Sequence, residues 1–233
     1  MKKRLSKTLA QAGLASRRAC EKMIFEGRVT INGKVVYLPQ TEVDPQKCCI
    51  KVNGKLIREK EPKLYFLLNK PKGYLCTSLR RKGGARVVLD LFSHLPYRLF
   101  TVGRLDQDTQ GLILVTNDGA FANRVIHPSY QISKEYLAKT DQEITLDHLK
   151  KLSSGIFLHG QLIKPASVKK VRRGTVKITV KEGKKHEVRL MLQNAELTIR
   201  ELCRIRIGPI TLGSLPEGAW RPLTVNEIKN FLA

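Results

Sequence analysis

A long hydrophobic run is absent from this sequence, which argues against a membrane-spanning protein. No stretch of the 233 residues approaches the roughly 20 apolar residues that a helix needs to cross a bilayer. The segment Met1–Arg4 is basic, but no continuous hydrophobic segment follows it, as a secretory signal would require. We therefore expect a soluble protein of the cytoplasm.

Metal-binding and disulfide-forming patterns are also lacking. The five cysteines are odd in number and include no Cys-x-x-Cys pair. Cys48 and Cys49 are adjacent, which suits neither an ordinary disulfide nor tetrahedral zinc coordination. The five histidines are scattered along the chain and suggest no cluster of metal ligands. The sequence thus predicts no metal ion and no disulfide.

Acidic residues are few. The chain has 20 Asp and Glu against 43 Lys and Arg, which gives a formal net charge of +23. Such a charge favours polyanionic partners and opposes self-association, so we expect a monomer that binds nucleic acid. An acidic membrane surface is the competing partner, but no long amphipathic basic helix with an aromatic-rich face supports it.

The positive charge is concentrated near the N-terminus. Residues 1–60 contain 14 basic and 5 acidic residues, whereas residues 61–233 contain 29 and 15. The charged run Arg58–Lys63 includes a proline, which is typical of a linker. We therefore predict two domains, 1–60 and 61–233.

The first domain shows signals for two helices and two hairpins. Gly13 can end a first helix, and Ser16 can cap a second one that ends before Gly27. The Asn-Gly pairs at Asn32 and Asn53 lie between β-prone segments, which predicts type I′ hairpins. The basic residues between these apolar positions are either a solvated face or ligands for phosphate.

The segment from Gly103 to Gly119 is the most informative part of the second domain. Leu112–Val115 is a continuous apolar run, which predicts a strand buried on both faces. A turn follows, with Asp118 as a cap for the next helix. Asp106 therefore lies in a short loop before a rigid strand, where catalytic groups are common. The alternative interpretation is that Asp106 only forms a surface ion pair with Arg104.

This segment resembles the signature of the pseudouridine synthases that act on ribosomal RNA (the RsuA/RluB type). The family pattern is Gly-Arg-Leu-Asp, two variable residues, Thr, one variable residue and Gly-Leu, and every fixed position is matched. The resemblance implies that Asp106 is catalytic, as nucleophile or as base at the sugar. Asp108 falls on a variable position, so it takes a structural role.

Two further motifs carry the resemblance along the chain. The pattern Lys-x-Tyr at Lys134 implies that Tyr136 lies against the target base, although alone Tyr136 would suggest core packing. The pattern Glu-Gly-Lys followed by a helix implies that Arg189 is the partner of Asp106. Leu190 departs from the family, which often has a second basic residue there.

The first domain resembles the RNA-binding domain named after ribosomal protein S-four. Ser16-Arg17-Arg18 and the segment Gly27–Gly33 match it. We expect six basic residues to bind RNA: Arg17, Arg18, Arg28, Lys70 of the family's Lys-Pro-x-Gly turn, Arg104 and Lys184. The basic segment Arg80–Gly84 is either disordered or a clamp on the RNA backbone.

The resemblance implies an α+β fold: a small N-terminal α/β RNA-binding domain, then a catalytic domain with a mixed, mainly antiparallel sheet. It implies the isomerisation of one uridine to pseudouridine, without cofactor or metal, in ribosomal RNA or an assembly intermediate. Ser16–Arg18 and Arg124–Ser129 favour large-subunit RNA. The alternative is a non-catalytic assembly or RNA-binding protein, which would share the basic residues but would not need Asp106, Tyr136 and Arg189.

Overall fold

The computed structural model describes residues 2–57, 61–77, 84–158 and 160–232. Residues 58–60 of the proposed linker and residues 80–83 of the basic segment lie outside the described residues. The chain divides into two compact units. The first contains the described residues of Met1–Leu64 with Leu95–Leu99 and Asn117–Gly119, and the second contains the remainder. In the described ranges, no helix is long and apolar enough to span a membrane.

The first unit contains two helices and two small sheets. The helices are α1 (Leu5–Gln11) and α2 (Arg17–Phe25). The strands are β1 (Lys3–Arg4), β2 (Val29–Ile31), β3 (Lys34–Val35), β4 (Glu42–Val43), β5 (Ile50–Val52) and β6 (Lys55–Leu56). Strands β1 and β4 pair with each other, and the other four form an antiparallel sheet in the order β3-β2-β5-β6.

Local sequence signals account for these elements. The Ser16 hydroxyl accepts a hydrogen bond from Ala19 N at 3.1 Å and caps α2, as predicted. Asn32 and Gly33 have φ of +50° and +83°, the left-handed pair that a type I′ turn requires. Asn53 and its glycine repeat this geometry between β5 and β6. The predicted cap at Ser16 and the two predicted hairpins are confirmed.

The rest of the chain forms a large mixed sheet with helices around it. Its strands are β7 (Tyr65–Lys70), β8 (Phe100–Val102), β9 (Gln110–Thr116), β10 (Lys134–Thr140), β11 (Ile156–Leu158), β12 (Gln161–Ile163), β13 (Ser167–Arg172), β14 (Thr175–Val180), β15 (Ile199–Ile207), β16 (Ile210–Thr211) and β17 (Trp220–Pro222). The helices are α3 (Gly119–Ile126), α4 (Leu146–Ser154), α5 (Glu187–Asn194) and α6 (Val225–Leu232), with 3-10 turns at Val88–Phe92 and Pro128–Tyr130.

The large sheet has the order β13-β14-β10-β15-β9-β7-β17, with β16 beside β15 and β8 beside β9. Among the pairs formed by described residues, β9 and β15 are parallel and the others are antiparallel. The separate hairpin of β11 and β12 is also antiparallel. The predicted α+β fold with a mixed, mainly antiparallel sheet is confirmed.

Strand β9 lies inside the protein and supports the loop that precedes it. Leu112, Ile113, Leu114 and Val115 are all 0 % exposed, as the apolar run predicts. Two of them, with side chains of α3 and α6, form one core cluster, and a second cluster is built from β10, β14, α4 and α5. A buried central strand of this kind holds the chain immediately before it in a fixed position.

Gly111 is required where β9 meets its parallel neighbour. Gly111 pairs with Arg204 of β15, and its φ is +104°. A Cβ atom there would lie 2.4 Å from the Arg204 carbonyl oxygen and 2.7 Å from its amide nitrogen. The glycine that ends the Asp106 signature is therefore a packing residue, because only a residue without a side chain lets the two backbones approach this closely.

Candidate active site

The second unit contains a cavity of about 680 Å³. Its walls include the loop before β9, strand β10, the segment leading into α5 with the start of that helix, and strand β15. The loop contributes Asp106, β10 contributes Tyr136, α5 contributes Arg189 and β15 contributes Arg204. The three residues that the sequence predicts to be catalytic thus line one cavity.

The loop that carries Asp106 is hydrogen-bonded to Lys70, the last residue of β7. The Lys70 ammonium donates hydrogen bonds to three backbone carbonyls, those of Pro71 at 2.9 Å, Gln107 at 3.1 Å and Thr109 at 2.8 Å. Lys70 is 0 % exposed. Its burial lowers its pKa, although the nearby charges of Asp108 and Asp106 act in the opposite direction.

The prediction that Lys70 contacts RNA is therefore wrong. The ammonium lies inside the protein and is already hydrogen-bonded to Pro71 and to two residues of the loop, Gln107 and Thr109. The Lys-Pro-x-Gly sequence suggests an exposed turn, but β7 continues through Lys70 and carries the side chain into the interior. Lys70 acts as a support for the Asp106 loop.

The Asp106 carboxylate lies between two basic side chains. Its Oδ2 atom is 3.5 Å from Arg189 Nε, and its Oδ1 atom is 3.3 Å from His186 Nε2. Arg189 also donates from Nε and Nη2 to the Thr109 hydroxyl, at 3.3 Å and 3.0 Å. The arginine is thus tied to two residues of the same loop, and this fixes the direction in which the carboxylate points.

The contact of His186 with Asp106 was not predicted from the sequence, in which the histidines are scattered. In the structure His186 is the N-cap of α5, and its backbone is left-handed with φ of +57°. Such a φ is uncommon outside glycine and often marks a functional site. The available signal is spacing: the N-cap and the third residue of a helix lie side by side, so His186 and Arg189 reach the same carboxylate.

Tyr136 and Arg204 form the wall contributed by β10 and β15. Tyr136 is half-buried, and its hydroxyl accepts a hydrogen bond from Arg204 Nη1 at 3.4 Å. Arg204 is only 4 % exposed, and its Nε donates to the Leu112 carbonyl at 2.8 Å. Lys134 precedes Tyr136 by two residues on β10, and burial, with the nearby Arg204 charge, lowers its pKa. Arg204 and Lys134 are further residues absent from the sequence prediction.

The remaining predicted RNA-binding residues fall into two groups. Arg104 is exposed and Lys184 is half-buried at the cavity, where Lys184 Nζ lies 2.8 Å from Gln161 Oε1. Arg17, Arg18 and Arg28 belong to the first unit and are exposed.

Packing explains why a leucine occupies position 190, where the family often has a basic side chain. Leu190 is partly buried and packs against the core cluster of β10, β14, α4 and α5. An apolar side chain suits this position because it is withdrawn from water. The departure from the family pattern therefore leaves the neighbouring contact of Arg189 with Asp106 intact.

Comparison of the chain with known proteins identifies the family to which it belongs. A model of the RNA pseudouridylate synthases matches residues 64–194, which include the whole Asp106 loop and the start of α5. The chain belongs to this family. An S4 domain model matches residues 3–47 at the N-terminus, in agreement with the second resemblance. As a member of the family the chain is an enzyme, an isomerase, and this prediction is confirmed.

Full-length relatives support the assignment. The chain is 40 % identical to an uncharacterized RNA pseudouridine synthase of Aquifex aeolicus, over 98 % of this chain and 93 % of that protein. It is 39 % identical to ribosomal large subunit pseudouridine synthase B of Bacillus subtilis, over 99 % and 96 %. A crystal structure of a pseudouridylate synthase is 31 % identical and superposes with a TM-score of 0.70, over 98 % and 99 %. The likeness therefore extends through both units.

Proposed function

We propose that this enzyme converts one specific uridine of ribosomal RNA, in the large subunit, to pseudouridine, with Asp106 as the catalytic residue. The observation that carries the proposal is the contact of Asp106 with Arg189 and His186 in a cavity that also contains Tyr136. The Bacillus relative, named for the large subunit, supports that substrate. The motifs Ser16–Arg18 and Arg124–Ser129 favour it as well.

The reaction breaks the bond between N1 of uracil and C1′ of the sugar. The base then rotates and is rejoined through C5, which loses its proton while N1 gains one. Asp106 acts either as a nucleophile or as a base at the sugar, and both roles need a carboxylate aimed at the substrate. Arg189 is proposed to position it, because the arginine bonds the loop at Thr109 and contacts the carboxylate.

Tyr136 is proposed to stack on the target base. A uridine inside a helix cannot reach the carboxylate, so the nucleotide must leave the base stack, at a cost of a few kcal/mol. A cavity of about 680 Å³ falls within the range of roughly 300–1,000 Å³ that is typical of ligand pockets. A uridine in a loop or single strand is the favoured substrate, because less stacking is lost there.

RNA capture is proposed for the first domain, residues 1–60, and chemistry for the second, residues 61–233. Arg17 and Arg18 occupy the first turn of α2, where exposed guanidinium groups can meet phosphates beside backbone N–H groups. Arg104 and Lys184 are proposed to hold the RNA at the cavity. We propose that the enzyme works in the cytoplasm as a monomer, on ribosomal RNA or an assembly intermediate.

The double variant Arg17→Gln/Arg18→Gln is expected to bind RNA more weakly while its conversion rate at saturating RNA stays unchanged. Loss of two phosphate contacts should reduce the slope of log K against log salt by about 1.4 to 1.8. Titrations at several salt concentrations measure this slope. The control is Lys22→Gln/Lys34→Gln, which removes the same charge elsewhere in the first unit. Equal slopes for the two double variants would contradict phosphate binding by Arg17 and Arg18.

Incubation with unmodified ribosomal RNA of both subunits, without metal or cofactor, tests the function itself. We expect pseudouridine at one new position in the large-subunit RNA when both RNAs are mapped. Modification of small-subunit RNA alone would contradict the proposed subunit. Salt-sensitive binding with no modification of naked RNA or of assembly intermediates would instead favour a non-catalytic assembly factor.

A further inference from the structure

The guanidinium of Arg204, a residue of the cavity wall, has a buried hydrogen-bond donor without a partner. Within the described residues, Arg204 Nη2 is the buried side-chain polar atom that lacks a hydrogen-bond partner. The residue is 4 % exposed and lines the cavity. Unpaired buried groups of this kind are costly, and in native proteins each one needs an explanation.

The position of Arg204 is fixed by its other contacts. Nε donates to the Leu112 carbonyl of β9, and Nη1 donates to the Tyr136 hydroxyl of β10. The pairing of β10 with β15 shifts register between Glu135 and Tyr136, which is a feature of β-bulges that redirect a side chain beside an active site. Two of the three guanidinium nitrogens thus hold the group in place, while Nη2 has no partner in the described residues.

No carboxylate neutralises this cation in the part of the chain that the structure describes. Arg206, next but one on the same strand, pairs with Glu135 at 3.2 Å, whereas no ion pair of the described residues involves Arg204. Lys134 adds a second positive charge nearby, and the carboxylates of Glu187 and Glu182 act on Lys134. This wall of the cavity is therefore suited to a ligand that carries negative charge or acceptor oxygens and can enter the cavity.

We infer that Arg204 binds a carbonyl oxygen of the flipped uracil and stabilises the negative charge that forms on the base when the glycosidic bond breaks. The inference rests on the proposed function. Uracil offers two carbonyl acceptors, and arginine is a donor only, so the two are complementary. A base stacked on Tyr136 would lie close to Arg204, because the Tyr136 hydroxyl is hydrogen-bonded to Arg204.

The charge on the base follows from the chemistry. When the N1–C1′ bond breaks, its electron pair goes to the uracil ring and is shared with the O2 and O4 oxygens. After rotation, C5 bonds to C1′ and releases its proton, and N1 takes one up, so the charge disappears again. Arg204 takes no part in these proton transfers and only donates a hydrogen bond. A fixed donor that meets charge developing in the transition state is worth about 10²–10³-fold in rate.

Single-turnover rates of N1–C1′ bond cleavage test this assignment, with Arg204→Gln, Arg204→Lys and Arg206→Gln as variants. At saturating RNA, Arg204→Gln is expected to lose about 10²-fold in rate with little change in RNA affinity. Arg204→Lys, which keeps the charge, should lose less. Arg206→Gln is the matched control and should keep its rate, because its guanidinium pairs with Glu135.

A second RNA, with 5-fluorouridine at the target position, separates charge stabilisation from a structural role. Fluorine at C5 stabilises the anion of the base, so the loss caused by Arg204→Gln should shrink at least about tenfold on this RNA. If the wild type is active and Arg204→Gln loses the same factor in rate on both RNAs, the proposed role of Arg204 is overturned, while the proposed function stands. A wild type that cleaves neither RNA would overturn the proposed function and this inference with it. Each comparison uses one preparation, so incomplete folding cancels from the ratio.

Discussion

Asp106→Asn is expected to abolish pseudouridine formation while RNA binding is preserved. Asparagine has nearly the same shape, but it lacks the charged carboxylate that would attack the substrate or accept its proton. Loss of one residue of a catalytic set can cost about 10⁴–10⁶-fold in rate. Single-turnover conversion of ribosomal RNA measures the loss, and equilibrium binding of the same RNA measures affinity.

Asp108→Asn is the matched control, because it removes the same charge from an exposed position of the same loop. This variant should convert RNA at close to the wild-type rate. If Asp106→Asn kept most of the activity, the catalytic assignment would be wrong, whatever the contacts of Asp106. If both variants lost activity equally, the charge of the loop as a whole would be responsible instead of the Asp106 carboxylate.

Features encoded by neighbouring residues were predictable from the sequence. The cap at Ser16 and the hairpin at Asn32 each depend on a few adjacent residues, and both form as expected. The burial of Leu112–Val115 follows from composition alone, because a run of such residues is stable only away from water. The pairing of Asp106 with Arg189 required the family resemblance, since the two are 83 positions apart in the sequence.

Features that depend on distant parts of the chain were missed or misjudged. Arg204 lies in an alternating strand, and its burial depends on the register shift against β10 and on contacts with Leu112 and Tyr136. The approach of His186 to Asp106 depends on a left-handed residue where α5 begins. The burial of Arg204 has no signature in the local sequence, and the spacing of His186 and Arg189 makes them neighbours without showing that His186 reaches Asp106, so both features required the structure. Each lies at the cavity wall, where function permits burial or backbone conformations that stability alone would disfavour.

Lys70→Met is expected to reduce conversion strongly, with a smaller effect on the free energy of unfolding. The methionine fills most of the same volume but donates no hydrogen bond to Pro71, Gln107 and Thr109. The bond to Thr109 is buried, and its loss costs about 1–3 kcal/mol, whereas the Gln107 carbonyl keeps a hydrogen bond from Gly73 N. Removal of the buried charge offsets part of this cost, because the lowered pKa shows that burial disfavours the ammonium. Denaturant unfolding and single-turnover rates measure the two effects separately.

The activity loss should exceed the stability loss because Lys70 supports the loop at Gln107 and Thr109, just after Asp106, without lining the cavity. A shift of the carboxylate by about 1 Å can cost 10²-fold in rate even when the protein remains folded. Lys72→Met provides the comparison: it removes the same side chain from an exposed position two residues away. Wild-type rates for a folded Lys70→Met protein would mean that the loop holds Asp106 in place through Thr109 and Arg189 alone. A loss of rate confined to Lys70→Met, at unchanged RNA affinity, would instead show that the lysine of the Lys-Pro-x-Gly motif acts through its buried ammonium and not through a contact with RNA.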